Sequence, residues 1–170
     1  RTSAPLSTVK KTFGRCGEES TFTVTAMRTA GIPARQVYTP RWAHSDDNHA
    51  RVEVWIDGKW QYLGACEPDV ELNMGWFSEP SRRTMLVHTR AYGRYMGSED
   101  VVIAEDRFSE LNLTSNYATT KRITVSVKKA DGTPADSAKV EYQLYNYAEY
   151  YPIATGFTNT AGFTSLNTGM

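Results

Sequence analysis

A cysteine and a histidine in the first third of the chain have the residue types and the setting that nucleophilic catalysis needs. Cys16 lies between Gly14 and Gly17, and His49 follows a polar loop. A cysteine thiolate attacks a carbonyl carbon, while a histidine takes the thiol proton and later protonates the leaving group. The two residues together predict cysteine catalysis, although each one alone is also typical of a packed or hydrogen-bonded residue.

The element that would position Cys16 is a helix, predicted from about Cys16 to Ala30. Glu18 and Glu19 favour its first turn, because carboxylates interact well with the positive end of the helix dipole. Gly31 then ends it. Four apolar side chains fall near one face of a 3.6-residue period: Phe22, Ala26, Met27 and Ala30. The N-terminus of a helix stabilises the thiolate form of a cysteine, so this helix supports a nucleophilic role for Cys16.

The element that would position His49 is the first strand of a hairpin. Residues 49–56 and 59–64 alternate as strands around the turn Asp57-Gly58. This turn sets Trp55 opposite Trp60 and, by extension, His49 opposite Cys66. Because side chains alternate across a strand, one face is aliphatic and predicts the core: Ala50, Val52, Val54 and Ile56. The other face carries His49, Arg51, Glu53 and Trp55.

Three motifs in a fixed order resemble the transglutaminase-like superfamily. They are Gly14-x-Cys16 at the start of a helix, Gly31-Ile-Pro-Ala-Arg35 before a strand, and the hairpin from His49 to Trp60. The resemblance covers roughly residues 12–68. It implies an α+β, papain-like core in which an N-terminal helix packs on an antiparallel sheet. It also implies a Cys-His-Asp triad with Cys16 as the nucleophile and His49 as the general base.

The third member of that triad departs from the family pattern. Gly64 stands where the family usually has an aspartate followed by proline, and Glu67-Pro68 resembles that pair displaced by three residues. One extra residue in a bulge near Gly64 would turn Glu67 towards His49, because a slip by one residue exchanges the faces of a strand. We therefore expect Glu67 to orient His49. The alternatives are Asp46, Asp47 and Asn48, or an incomplete triad in a non-catalytic relative.

A different pattern begins after Tyr117. Short alternating segments predict strands at residues 122–128, 138–145, 153–157 and 163–166. Their spacing indicates an antiparallel sandwich. The segment resembles the immunoglobulin-like or prealbumin-like modules of secreted bacterial enzymes. We expect a transglutaminase-like domain at residues 1–117, with or without its full N-terminal part, and a partial β module at 118–170 that continues in further C-terminal strands.

The composition narrows the class of partner. Lys plus Arg and Asp plus Glu number 19 each, so the net charge is zero, which argues against nucleic acid or an anionic membrane as a partner. No apolar run approaches the roughly 20 residues of a membrane span. His44 and His49 have no recognised zinc spacing, and the two cysteines are too few for a thiolate site. We expect neither a metal nor a cofactor.

The sequence thus predicts a cysteine hydrolase that attacks peptide or side-chain amide bonds through a thioester acyl-enzyme. Its substrate would be a protein, a peptide or a peptidoglycan-like amide. Transfer of the acyl group to an amine, as in a transglutaminase, is the second hypothesis. A binding or scaffold module that keeps the fold without catalysis is the third. By resemblance alone, the expected location is extracytoplasmic: periplasmic, at the cell surface or secreted. The oligomeric state is not indicated.

Overall fold

The computed structural model describes residues 3–45, 47–65 and 67–170, and its largest element is a six-stranded antiparallel sheet. Its strands are β1 (Ala34–Thr39), β2 (His49–Ile56), β3 (Lys59–Leu63), β4 (His88–Tyr92), β5 (Asp100–Ala104) and β6 (Phe108–Asn112). Their order across the sheet is β3-β2-β1-β4-β6-β5. The helices are α1 (Pro5–Lys11), α2 (Cys16–Thr29) and α3 (Ser78–Ser81), with a 3-10 turn at Thr114–Asn116. Helices with antiparallel sheets agree with the predicted α+β class, while the papain-like arrangement stays a prediction.

Helix α2 confirms the predicted start at Cys16 and ends one residue early, before the left-handed Gly31. Its buried face differs from the prediction. Ser20 and Val24 are buried and Met27 packs beside them, whereas three of the four apolar residues that the helical period sets near one face are exposed: Phe22, Ala26 and Ala30. Val24 packs on an apolar cluster completed by Ala34, Val52 and Val54. The sheet, rather than the helix's own apolar residues, decides which side of α2 is covered.

The hairpin of β2 and β3 has the predicted register. Trp55 lies opposite Trp60 and Glu53 opposite Tyr62, around Asp57 and Gly58 with positive φ angles, as a type I′ turn requires. The aliphatic face of β2 is core, as expected. Its other face is buried too, because His49, Arg51 and Glu53 are each no more than 5 % exposed.

The rest of the chain forms two smaller two-stranded sheets. One pairs β7 (Thr120–Ser126) with β10 (Phe163–Gly169), and the other pairs β8 (Lys139–Asn146) with β9 (Glu149–Phe157). A cluster of Leu86, Ala154 and Leu166 joins these strands to the loop before β4. The predicted strands are therefore present in this region, whereas an immunoglobulin-like topology stays a prediction.

None of the described helices is long and apolar enough to span a bilayer.

Candidate functional site

Cys16 opens onto a groove at the N-terminus of α2. It is the first residue of the helix, a free thiol and half-buried. The groove has a volume of about 510 Å³, and Tyr38 and Asn48 line it on the side of the sheet. Lys11 and Phe13, at and just after the end of α1, form another wall. Residues 1–12 show little periodicity in the sequence, so this wall was not predicted.

Hydrogen bonds hold the first turn of α2 in place. The Arg15 N–H donates to Glu18 Oε2 at 3.0 Å, and this bond is the main reason that the pKa of Glu18 is lowered. Ser20 Oγ donates to the Cys16 carbonyl at 2.5 Å. From β1, Gln36 Nε2 donates to the Gly17 carbonyl at 3.0 Å and to Ser20 Oγ at 2.7 Å. The backbone around Cys16 is therefore tied to the sheet.

The register of β1 and β2 places Cys16 and His49 on opposite sides of the sheet. Tyr38 lies opposite Ala50, and Thr39 lies opposite His49. Tyr38 lines the Cys16 groove, so the side of the sheet that carries Tyr38 and Ala50 also carries α2; we call it the helix face. Successive side chains point to opposite faces, so His49 points to the other side. The structure does not bring these two predicted residues together.

The side of the sheet that carries Thr39 and His49 we call the aromatic face. There the His49 ring lies 4.7 Å from the ring of Trp76, 4.9 Å from Phe77 and 6.3 Å from Trp42. Its Nε2 atom is buried and has no hydrogen-bond partner among the described residues. Burial first, and then the Arg51 charge, lower the pKa of His49 to about 4, against a small opposite effect of Asp47. His49 is therefore a neutral imidazole at pH 7.

Below His49, the aromatic face holds buried charges. Arg35 Nε lies 2.6 Å from Glu53 Oε2, and the Tyr117 hydroxyl donates to the other oxygen of Glu53. Arg51 is fully buried, with its guanidinium carbon 4.1 Å from the Tyr117 ring centroid. Arg51 Nη1 donates to Thr39 Oγ1 at 3.1 Å. This network pairs the buried Glu53 carboxylate, while Arg51 Nε and Nη2 are buried without a hydrogen-bond partner among the described residues.

Gly64 and Glu67 are the two residues that bear on the third member of the triad. A Cβ atom at Gly64 would lie 2.7 Å from the Glu67 carbonyl oxygen, so the aspartate of the family pattern does not fit there. Glu67 is exposed and its Oε1 accepts a hydrogen bond from Trp76 Nε1 at 2.5 Å. The Trp76 ring in turn packs on His49. Glu67 thus approaches His49 through the Trp76 ring.

The alternatives for the acid lie in the loop before β2. Asp47 acts on the pKa of His49, and its carbonyl accepts a hydrogen bond from the Trp42 N–H at 3.0 Å. Asn48 lines the Cys16 groove, on the opposite side from His49. Asp46 and Cys66 lie outside the described residues.

The tip of the β8–β9 hairpin holds the loop that leads to His49. Asn146 Nδ2 donates to the carbonyls of Trp42, at 2.9 Å, and of Ser45, at 2.5 Å. Arg41 pairs with Glu149, and its guanidinium carbon lies 5.0 Å from the centroid of the Tyr151 ring. Sequence analysis treated this part of the chain as a separate module and gave no sign of the contact.

A third histidine belongs to the helix face. His88 is the first residue of β4, and it lies opposite Tyr38 where β1 pairs with β4. The two rings meet edge to face with their centroids 5.5 Å apart. No group of three or more metal-ligating side chains occurs in the described part of the chain.

Comparison with known proteins gives one match. Residues 1–65 match the family model of the transglutaminase-like superfamily, which spans α1, α2 and the β1–β3 strands. No curated protein and no solved structure matches the chain.

Proposed function

We propose that the chain is a cysteine-dependent hydrolase of peptide or side-chain amide bonds, since residues 1–65 match the family model of the transglutaminase-like superfamily. Cys16 attacks the amide carbonyl and forms a thioester, which water then hydrolyses. The observation that carries this proposal is the placement of Cys16 as a free, half-exposed thiol on the first residue of α2. Unpaired backbone N–H groups at a helix start favour a thiolate and the oxyanion of the tetrahedral intermediate.

In this proposal His49 is the general base and Glu67 its orienting acid. The described conformation keeps His49 on the aromatic face, so the start of β2 must change register before the imidazole meets the thiol. A slip of one residue is sufficient, because it exchanges the faces that Asn48 and His49 now occupy. Glu67, which is now bonded to the Trp76 ring beside His49, would then have to follow the imidazole to the helix face.

The test uses p-nitrophenyl acetate, an activated ester that acylates thiolates. The wild-type chain should release p-nitrophenol in a burst and gain one acetyl group by mass spectrometry. Cys16→Ala should lose both signals. His49→Gln should slow the burst by about 10²-fold or more, as loss of a general base does, and Glu67→Gln by less. A burst that survives Cys16→Ala would contradict the proposal, and an unchanged His49→Gln would remove His49 from it.

Two alternatives have their own discriminating results. Acyl transfer to an amine predicts that an added primary amine, such as glycine methyl ester, becomes acetylated in preference to hydrolysis. A non-catalytic scaffold role is favoured by one observation, the separation of Cys16 and His49 by the sheet. That role predicts no burst at all and thiol reactivity at Cys16 that His49→Gln leaves unchanged.

A further inference from the structure

A second cavity continues the Cys16 groove along the helix face. Its volume is about 260 Å³, and it shares Gly17 and Tyr38 with the groove. The Tyr38 hydroxyl has a raised pKa, mainly through burial, and the Cys16 thiol is among the groups that add to the effect. Tyr38 therefore borders both the Cys16 groove and this cavity. At about 30 Å³ per water, the cavity can hold several waters or the amino end of a small ligand.

His88 is the histidine that lines this cavity. Its Nδ1 lies 3.7 Å from Glu110 Oε2, and its side chain is 15 % exposed. The other oxygen of Glu110 accepts a hydrogen bond from Arg90 Nη2 at 2.5 Å, whereas His88 Nδ1 is buried without a hydrogen-bond partner among the described residues. With Nδ1 turned to Glu110, Nε2 is the nitrogen that a molecule in the cavity can reach. This histidine and carboxylate share a sheet face with Cys16, whereas His49 does not.

Burial favours the neutral form of His88. Burial lowers the pKa of His88, Glu110 opposes that effect and Arg90 adds to it. A neutral imidazole can accept a proton, and a neighbouring carboxylate stabilises the imidazolium that results. The groups that face His88 are Glu110, Arg90 and Tyr38, and the Arg90–Glu110 pair leaves little net charge in the cavity.

We propose that this cavity is the acyl-acceptor site and that His88 is the general base of the deacylation step. This inference rests on the proposed function and adds a second histidine with a separate role. The acceptor is water or a small primary amine in the cavity. Its oxygen or nitrogen attacks the thioester carbonyl while His88 takes the proton, and a new C–O or C–N bond forms. The C–S bond breaks, and the Cys16 thiolate leaves and regains a proton from the imidazolium.

The experiment separates acylation from deacylation with p-nitrophenyl acetate and the full chain. His88→Gln should leave the amplitude and rate of the burst within about twofold of wild type. It should lower the steady-state rate by about 10²-fold or more, with acetyl-enzyme accumulating, because general-base catalysis contributes at least that much. Imidazole added to His88→Ala should restore part of the steady-state rate. Glycine methyl ester as acceptor should show the same dependence on His88 if the cavity also serves amines.

The matched control is His44→Gln, an exposed histidine outside both cavities, which should match wild type in both phases. A steady-state rate of His88→Gln within twofold of wild type would overturn the inference and leave the role of Cys16 intact. Equal losses in the burst and in the steady state would overturn it too, since they place His88 in acylation or in the fold. Absence of any Cys16-dependent acylation contradicts the proposed function itself.

Discussion

The imidazole of His49 is packed among three aromatic rings, and its ionisation follows from that packing. Its pKa of about 4 lies below the value of about 6.5 in an unfolded chain. The unfolded state therefore binds more protons than the folded state between these two values. The contribution of neutral His49 to the free energy of unfolding is therefore fully present above the unfolded pKa. It is lost as the pH falls from about 6.5 towards 4. In this packing, protonation of His49 changes the stability of the fold.

The first prediction concerns this pH dependence. The difference between the two pKa values corresponds to about 3 kcal/mol of unfolding free energy between pH 7 and pH 4. His49→Phe keeps an aromatic ring in the site and removes the titration. We expect the free energy of unfolding, measured with urea, to fall between pH 7 and pH 4 in both proteins. The fall should be about 3 kcal/mol smaller in the variant than in the wild type. Equal losses in the two proteins would mean that His49 is solvated and ionises normally.

The second prediction concerns Gly64, where the family pattern has an aspartate. A side chain there meets the Glu67 carbonyl oxygen at 2.7 Å, and Phe77 lies close behind it. Gly64→Asp should therefore not rebuild a triad. It should lower the free energy of unfolding by about 1–3 kcal/mol, the cost of overpacking, or more because a charge is also buried. Thermal unfolding measures this, and a stable variant with faster acylation would contradict it.

At the scale of elements, β2 shows what sequence could and could not predict. The period-two pattern and the Asp57-Gly58 turn determine the β2–β3 register locally, and that prediction is confirmed. Burial of the second face depends on Phe77 and Tyr117, which arrive from distant parts of the chain. Strand β6 and helix α1 were not predicted, because their local sequence patterns are weak. The face on which His49 lies follows from the β1–β2 ladder and not from the motif.

The third prediction concerns the charges buried under β2. Arg35→Met should lower the free energy of unfolding by about 3–5 kcal/mol, because it leaves the Glu53 carboxylate buried without its cation. Arg82→Met is the matched control, since Arg82 pairs with Glu79 on the surface and such pairs contribute about 1 kcal/mol or less. Similar losses in the two variants, measured by urea unfolding, would show that Glu53 is solvated after all.

At the scale of the whole molecule, the two parts of the chain are joined at more than one point. Asn112 Nδ2 donates to the Asn167 carbonyl at 2.8 Å, and Thr168 Oγ1 donates to the Met85 carbonyl at 2.7 Å. At the other end, the β8–β9 hairpin tip holds the loop before β2 through Asn146 and Glu149. The sequence predicts a boundary near residue 117, but it carries no local signal for contacts between residues so far apart.

The fourth prediction tests the hairpin tip. Asn146→Ala removes the donor of two hydrogen bonds and leaves the carbonyls of Trp42 and Ser45 without it. The free energy that keeps the loop before β2 closed should fall by about 1–3 kcal/mol. Amide exchange at Trp42, whose N–H donates to the Asp47 carbonyl, should quicken by about tenfold or more. The exposed Asn116→Ala serves as control and should leave that exchange unchanged; faster exchange in both variants would mean a global effect.

The same contact has a consequence for the order in which the protein is made. Asn146 bonds to carbonyls that precede it by 104 and 101 residues. At about 5–20 residues per second, a ribosome takes on the order of 5–20 s to add that length of chain. During this interval Cys16 and His49 have both been synthesised, but the loop before β2 lacks its hairpin partner. We therefore expect a nascent chain to complete this site only after strands β8 and β9 have emerged from the ribosome.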